Sequence, residues 1–165
     1  MEGSELKRDE QHLIFRQQDR LLALPIAGIA EIIRMVTVKA LPEQPAYVAG
    51  VINYRGEILP VLDLWYLLGR EAPPLRAEMG IIITGIGGRR FGLIVEEMVG
   101  VRSLEPRPRP DDLVEELAMP LVDEVCSYDQ SSDLVLLLNP ERLREQVAAL
   151  DTLPAPDPAP VEAGE

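Results

Sequence analysis

The run Gly50-Val51-Ile52-Asn53-Tyr54-Arg55-Gly56-Glu57-Ile58-Leu59-Pro60-Val61-Leu62-Asp63-Leu64 reads as a β-hairpin with one arginine held at its tip. Asn53 suits the first position of a type I turn and Gly56 the left-handed position that closes it, which puts Tyr54 and Arg55 in the middle and projects Arg55 outward. On the return strand, alternation sets Glu57, Leu59, Val61 and Asp63 on one face and Ile58, Pro60 and Leu62 on the other. Neither face is uniformly polar, so both need covering. Pro60 has no N–H for a ladder, which predicts a sheet edge or a bulge where a second domain or a partner docks.

Outward from this hairpin the chain reads as strands and tight turns. Residues 1–10 are polar and read as a flexible N-terminus. Leu13–Arg16 and Arg20–Leu24 form an opening hairpin around Gln18-Asp19. Pro25–Ala30 suits a short helical turn leading into Glu31-Ile32-Ile33-Arg34, a strand expected to run on through Val38, after which Leu41-Pro42 and Gln44-Pro45 break the chain. Leu64–Leu68 reads as a helical turn stopped by Gly69. The loop 70–78, with Pro73-Pro74, is the expected crossover between two β-rich halves. The second half opens like the first, with Gly80–Thr84 and Arg90–Val95 paired around Gly87-Gly88. Met98–Leu104 is a further strand, and Leu121–Ser127 and Leu134–Leu138 form a last pair around a turn at 129–133. Asn139 caps a helix that starts at Pro140, runs to about Leu150 and turns Leu143, Val147 and Leu150 inward. Residues 151–165 alternate prolines, alanines and acids and read as a disordered tail, which leaves 11–150 as one domain.

The 165-residue chain is 47% hydrophobic but only 4% aromatic, so its core is built from Ile, Leu and Val, which at strand-like spacing favours a β-rich protein. A formal net charge of −12 repels polyanions, and the short basic pairs Arg89-Arg90 and Arg107-Pro108-Arg109 make no stripe that could hold nucleic acid. The single cysteine, Cys126, rules out an internal disulfide and a thiolate metal cluster. The charged start resembles no leader, and no apolar run approaches the roughly 18 residues that span a bilayer. A soluble, cytoplasmic protein without membrane insertion is expected.

Catalytic chemistry finds little to work with. The only histidine, His12, falls near the ragged N-terminus, and no Gly-x-Ser-x-Gly elbow exists. Gly85-Ile86-Gly87-Gly88 resembles the start of a dinucleotide fingerprint, but Arg90 stands where the third glycine belongs and the chain continues as a strand. The acid pairs Glu96-Glu97, Asp111-Asp112 and Glu115-Glu116 fall on opposite strand faces or in a loop. No catalytic residue, cofactor or metal ligand is assigned. A binding module remains, with Arg55 at a turn tip and Glu31 inside an apolar stretch as its least routine residues; a small carboxylate-based enzyme is the reading from another class.

The hairpin sequence resembles the central signature of the CheW family, the coupling proteins of bacterial chemosensory systems. That pattern runs Gly-Val-x-Asn-Leu-Arg-Gly and then x-x-x-Pro-Val-x-Asp-Leu, and this chain departs from it in Tyr54. The resemblance continues in Ile29-Ala30-Glu31-Ile32-Ile33, in Pro45-Ala46-Tyr47-Val48, in Gly92–Val99 and in Leu137–Leu143. It implies a mainly β fold of two side-by-side SH3-like five-stranded barrels with a C-terminal helix. It also implies a non-catalytic adaptor between the cytoplasmic tip of methyl-accepting chemoreceptors and the regulatory domain of a CheA-type histidine kinase, recruited to membrane-associated arrays, with other CheW-like domains as further neighbours. A ring or array component of a chemosensory pathway serving surface motility or development is the variant. Carried over by position, the partner-binding residues are Ile29, Glu31, Ile33, Asn53, Tyr54, Arg55, Gly56 and Leu62. Within the free protein Arg55 is expected to pair with Glu57 or Asp63.

Overall fold

The computed structural model describes residues 11–86, 89–108, 121–127 and 133–146. Strands β1 (Gln11–Gln17), β2 (Arg20–Pro25), β8 (Glu97–Ser103), β9 (Arg107–Pro108), β10 (Val122–Ser127) and β11 (Leu134–Leu138) form a six-stranded sheet in the order β8-β1-β2-β11-β10-β9. Strands β3 (Ile29–Arg34), β4 (Val48–Tyr54), β5 (Glu57–Asp63), β6 (Gly80–Ile86) and β7 (Arg89–Val95) form a second sheet in the order β3-β6-β7-β5-β4. Two short helices, α1 (Leu64–Leu67) and α2 (Pro140–Gln146), complete the described fold. The mainly β class and the C-terminal helix follow the sequence reading.

The two sheets are not the front and back halves of the chain. The first sheet takes the opening hairpin and the closing strands, and the second takes the continuous stretch between them. The chain passes between sheets at the 3₁₀ turn Ile26–Gly28 and again at Glu96, whereas segment 70–78 joins α1 to β6 within the second sheet. Each sheet contains one parallel pair, β2 with β11 and β5 with β7, and these pairs tie distant parts of the sequence together.

Among the described residues, neither hydrogen-bonded ladder closes into the five-stranded barrel that the resemblance implied; the sheets are open, with six and five strands. The second comes near to closing on itself. After β3, which ends at Arg34 and not at Val38, the chain swings to the free edge of β4, where Lys39 and Val51 exchange two 2.9 Å backbone bonds. Gly50 permits that approach, because a Cβ there would stand 2.4 Å from the Lys39 carbonyl oxygen.

Alternation along the strands feeds three apolar cores. Phe15, Leu22, Leu62, Ile82, Phe91, Leu93 and Leu136 meet between the sheets. Ile52, Leu59, Val61, Trp65, Met79, Ile81, Ile83 and Ile94 fill the inside of the second sheet. Ile14, Leu21, Ala23, Cys126, Val135 and Leu137 fill the first. Neighbouring residues such as Val61 and Leu62 therefore enter different cores, and each fully buried side chain of this size stabilises by about 1.5–3 kcal/mol. The apolar residues on both faces of β5 are covered by the protein itself.

Pro60 lies on an interior strand, which corrects the edge alternative, while a β-bulge does lie close by, with Ala49 the extra residue of β4 opposite Val61 and Leu62. Pro60 faces Val51 on β4, while the parallel pairing of β5 with β7 begins only at Val61, so the missing N–H falls where β5 has one neighbour. His12 is likewise no frayed terminus: it is 3% exposed, inside β1, between β2 and β8. Asn139 caps α2 as read, its Oδ1 accepting from the Glu141 and Arg142 amides, and Leu143 is buried. Residues 1–10 and 151–165, residues 129–132 of the turn read at 129–133, Gly87 and Gly88, Val147 and Leu150 lie outside the described residues, as do the acid pairs at 111–112 and 115–116.

Polar side chains lock the seam between the sheets. Gln17, 2% exposed, donates from Nε2 to the Ile94 carbonyl (3.3 Å) and accepts at Oε1 from the Glu96 amide (3.0 Å). The Gln18 amide donates to the Glu96 carboxylate, and Arg70 donates to the Gln18 side chain at 2.7 Å. The arrangement fixes how the second sheet is presented relative to the first.

Candidate functional site

The tip of the β4–β5 hairpin is tighter than the type I reading. Tyr54 pairs with Glu57, which leaves only Arg55 and Gly56 in the loop. Both have positive φ, 52° and 84°, the signature of a two-residue type I′ connection whose twist matches the flanking strands. Tyr54 is therefore the last residue of a strand and not a turn residue. Asn53 does take the turn-stabilising role: its Oδ1 accepts the Gly56 amide at 2.9 Å. Gly56 meets nothing within 4 Å where a Cβ would stand, so its requirement is purely conformational.

Arg55 pairs with Glu31. Its Nη2 stands 2.7 Å from Glu31 Oε1, and the same oxygen accepts the Tyr54 hydroxyl at 2.6 Å. Glu31 sits on β3, three strands away from β5 in the ladder, and faces the same side of the curled sheet. The Arg55 guanidinium carbon lies 5.3 Å from the centre of the Tyr54 ring, and that of Arg90 lies 6.0 Å from it. Arg90 is also 3.6 Å from Glu57. Hydrogen bonding to Glu31, then burial, holds the Tyr54 phenol above its ordinary value, with Arg55 and Arg90 pulling the other way.

Exposure separates the members of this cluster. The Arg55 side chain is 71% exposed and that of Glu31 34%, so the ion pair itself contributes about 0–1 kcal/mol. Tyr54 is 7% exposed, its ring fixed in the core of the second sheet. An anchored phenol thus presents an exposed, charged hairpin tip.

Of the sequence-derived candidates, Glu31, Tyr54 and Arg55 converge, while Asn53 and Gly56 shape the turn. Ile29 and Ile33 are half-buried and pack inward against the cores. Leu62 is fully buried between the sheets and presents no surface to a partner. The expected partners of Arg55 are otherwise engaged: Glu57 faces Arg90, and Asp63 caps α1 by accepting the Tyr66 amide at 3.1 Å. Burial raises the Asp63 carboxyl, against the lowering effect of the Tyr66 and Trp65 amides.

The sequence reading missed Arg90, whose place beside Tyr54 depends on the parallel pairing of β5 with β7. It also passed over Ile26, Ile32 and Val36, which are 36%, 42% and 41% exposed along and beside β3. Their signal was the parity of β3, because Ile32 alternates with the inward Glu31 and Ile33.

The profile of the CheW-like domain matches residues 11–148. The chain belongs to the CheW-like family. It is 32% identical over 102 residues to the chemotaxis protein CheW of Rhizobium meliloti, covering 60% of this chain and 66% of that protein. A segment of the chemotaxis protein CheA of Listeria innocua is 29% identical over 94 residues, which is 57% of this chain and 15% of the CheA protein. Among solved structures, the scaffolding protein TtCheW from Thermoanaerobacter tengcongensis superposes with a TM-score of 0.70 at 26% identity, covering 79% of this chain and 89% of that one. The chain spans just under two thirds of the length of its CheW relative and a small part of the CheA protein. Among the described residues, no helix is long and apolar enough to cross a membrane. For a CheW-like domain, the hairpin tip is the place where this chain departs from the family signature, at Tyr54, and where the well-exposed charge of Arg55 stands.

Proposed function

We propose that this chain is a non-catalytic adaptor that joins the regulatory domain of a CheA-type histidine kinase to the cytoplasmic tip of chemoreceptors. It works in the cytoplasm at receptor arrays. The observation that carries this reading is the Arg55 tip: a solvent-exposed guanidinium held on a strained two-residue turn, anchored through Tyr54 to an apolar core, inside a CheW-like domain. A residue that stabilises little and is nevertheless positioned so closely suits recognition better than folding. The similarity to part of a CheA protein supports a partner that carries a domain of the same kind, so that related domains pack side by side, other CheW-like domains included. Individual contacts of this sort are weak, and an array strengthens them because each tethered second contact forms at high effective concentration.

The test is calorimetry with the isolated regulatory domain of a CheA-type kinase from the same genome. The wild-type chain is expected to form a complex, and Arg55→Ala to weaken it about tenfold, some 1.4 kcal/mol, with an unchanged melting temperature. No complex with any such domain would overturn the kinase half of the proposal, and binding of a receptor-tip peptide tests the other half in the same way.

A further inference from the structure

We infer that Tyr54 is a positioning residue that keeps Glu31 satisfied when Arg55 leaves it, so that Arg55 is an exchangeable contact which takes a carboxylate of the docking partner. This rests on the adaptor reading. Glu31 Oε1 has two donors, the Tyr54 hydroxyl at 2.6 Å and Arg55 Nη2 at 2.7 Å, and they differ in kind. The phenol comes from a side chain that is 7% exposed and packed among Ile52, Leu59 and Trp65, so it stays in place. The guanidinium comes from an exposed side chain on a loop and is free to swing.

With the family's leucine at position 54, Arg55 would be the only one of the two donors, and its departure would strand a carboxylate that is only one-third exposed. With tyrosine the carboxylate keeps a short bond and Arg55 departs at lower cost. A partner carboxylate can then engage the planar fork of the guanidinium through two parallel bonds, which the single Nη2 contact to Glu31 does not exploit. Arg90, paired with Glu57 and 6.0 Å from the centre of the Tyr54 ring, keeps a positive charge beside Tyr54 when Arg55 moves.

The experiment compares wild type, Tyr54→Phe, Glu31→Gln, the double variant and Arg55→Ala for binding to the kinase regulatory domain, together with an ultraviolet titration of the tyrosines without partner. Phenylalanine preserves the ring packing, so the fold is expected to stand. The expected result is a three- to tenfold loss of affinity for Tyr54→Phe and no further loss when that change is added to Glu31→Gln. In the titration, the Tyr54 phenol, identified as the step missing from the curve of Tyr54→Phe, is expected to move down in Glu31→Gln and up in Arg55→Ala. Unchanged or tighter binding by Tyr54→Phe, alongside weaker binding by Arg55→Ala, overturns the inference and leaves the adaptor reading intact. A wild-type chain that binds no kinase domain overturns both, and a titration in which Glu31→Gln moves no tyrosine overturns the geometry on which the inference stands.

Discussion

Two polar networks tie distant segments of this protein together, one at the seam between the sheets and one at the hairpin tip. At the seam, Gln17 is buried and satisfies two backbone groups, the Ile94 carbonyl and the Glu96 amide. At the tip, Arg55 and Glu31 meet in solvent, with only Tyr54 rooted in the core. Burial decides what each network does. A buried polar group that loses its partner keeps its desolvation cost, so the seam holds the fold. An exposed ion pair is nearly balanced by water, so the tip can exchange partners with little effect on stability.

The strongest way to break this contrast is Gln17→Leu. It leaves the Ile94 carbonyl and the Glu96 amide without their side-chain partner and is expected to cost about 2–3 kcal/mol in denaturant unfolding. A loss no larger than that of Arg55→Ala would abolish the distinction between seam and tip. Next in size is Gly56→Ala, which adds a Cβ in open space but at a left-handed φ of 84°; about 1–2 kcal/mol of stability is expected to go, by thermal or chemical unfolding.

Arg55→Gly sharpens the contrast. It relieves a left-handed φ of 52° and removes an exposed ion pair, two effects of about 1 kcal/mol and opposite sign, so stability should stay within roughly 0.5 kcal/mol while kinase-domain binding falls. The smallest effect is expected from alkali. The folded state raises the Tyr54 phenol, so its contribution to stability is complete below the ordinary tyrosine value and is lost as pH rises through the folded value. Tyr54→Phe should flatten the alkaline limb of a stability-against-pH curve, and an unchanged limb would show that the Tyr54–Glu31 bond has no part in it.

Much of the fold was legible because strands and turns are local. The hairpins at 13–24, 50–64 and 80–95 follow from alternation and, at 50–64, from Asn53 and Gly56 at the turn, and the cap at Asn139 from its neighbours. Even so, the 50–64 hairpin hid its turn type: Tyr54 looked like a turn residue until its pairing with Glu57 placed it on the strand. Leu62, carried over from the family pattern as an apolar candidate for interface or core, could not be assigned to one or the other until the parallel pairing with β7 put it in the core. Gln17 carried no signal at all, since a polar residue beside a turn is ordinary until a second sheet covers it.

The candidate site divides in the same way. Arg55 at a tip and Glu31 in an apolar strand stood out in the sequence, yet their meeting across 24 positions did not, and acids nearer in sequence were the natural partners to expect. Strand identity, the positions of the hairpins, the alternation that feeds the cores and the unusual placement of Arg55 and Glu31 were determined by the sequence alone, because they rest on backbone preferences set by adjacent residues. The assignment of first and last strands to one sheet, the burial of Leu62, the closure of Lys39 on Val51 and the convergence of Glu31, Tyr54, Arg55 and Arg90 were decided only by the tertiary structure. Those depend on which strands become neighbours, and that choice is made by burying apolar faces from the whole chain at once.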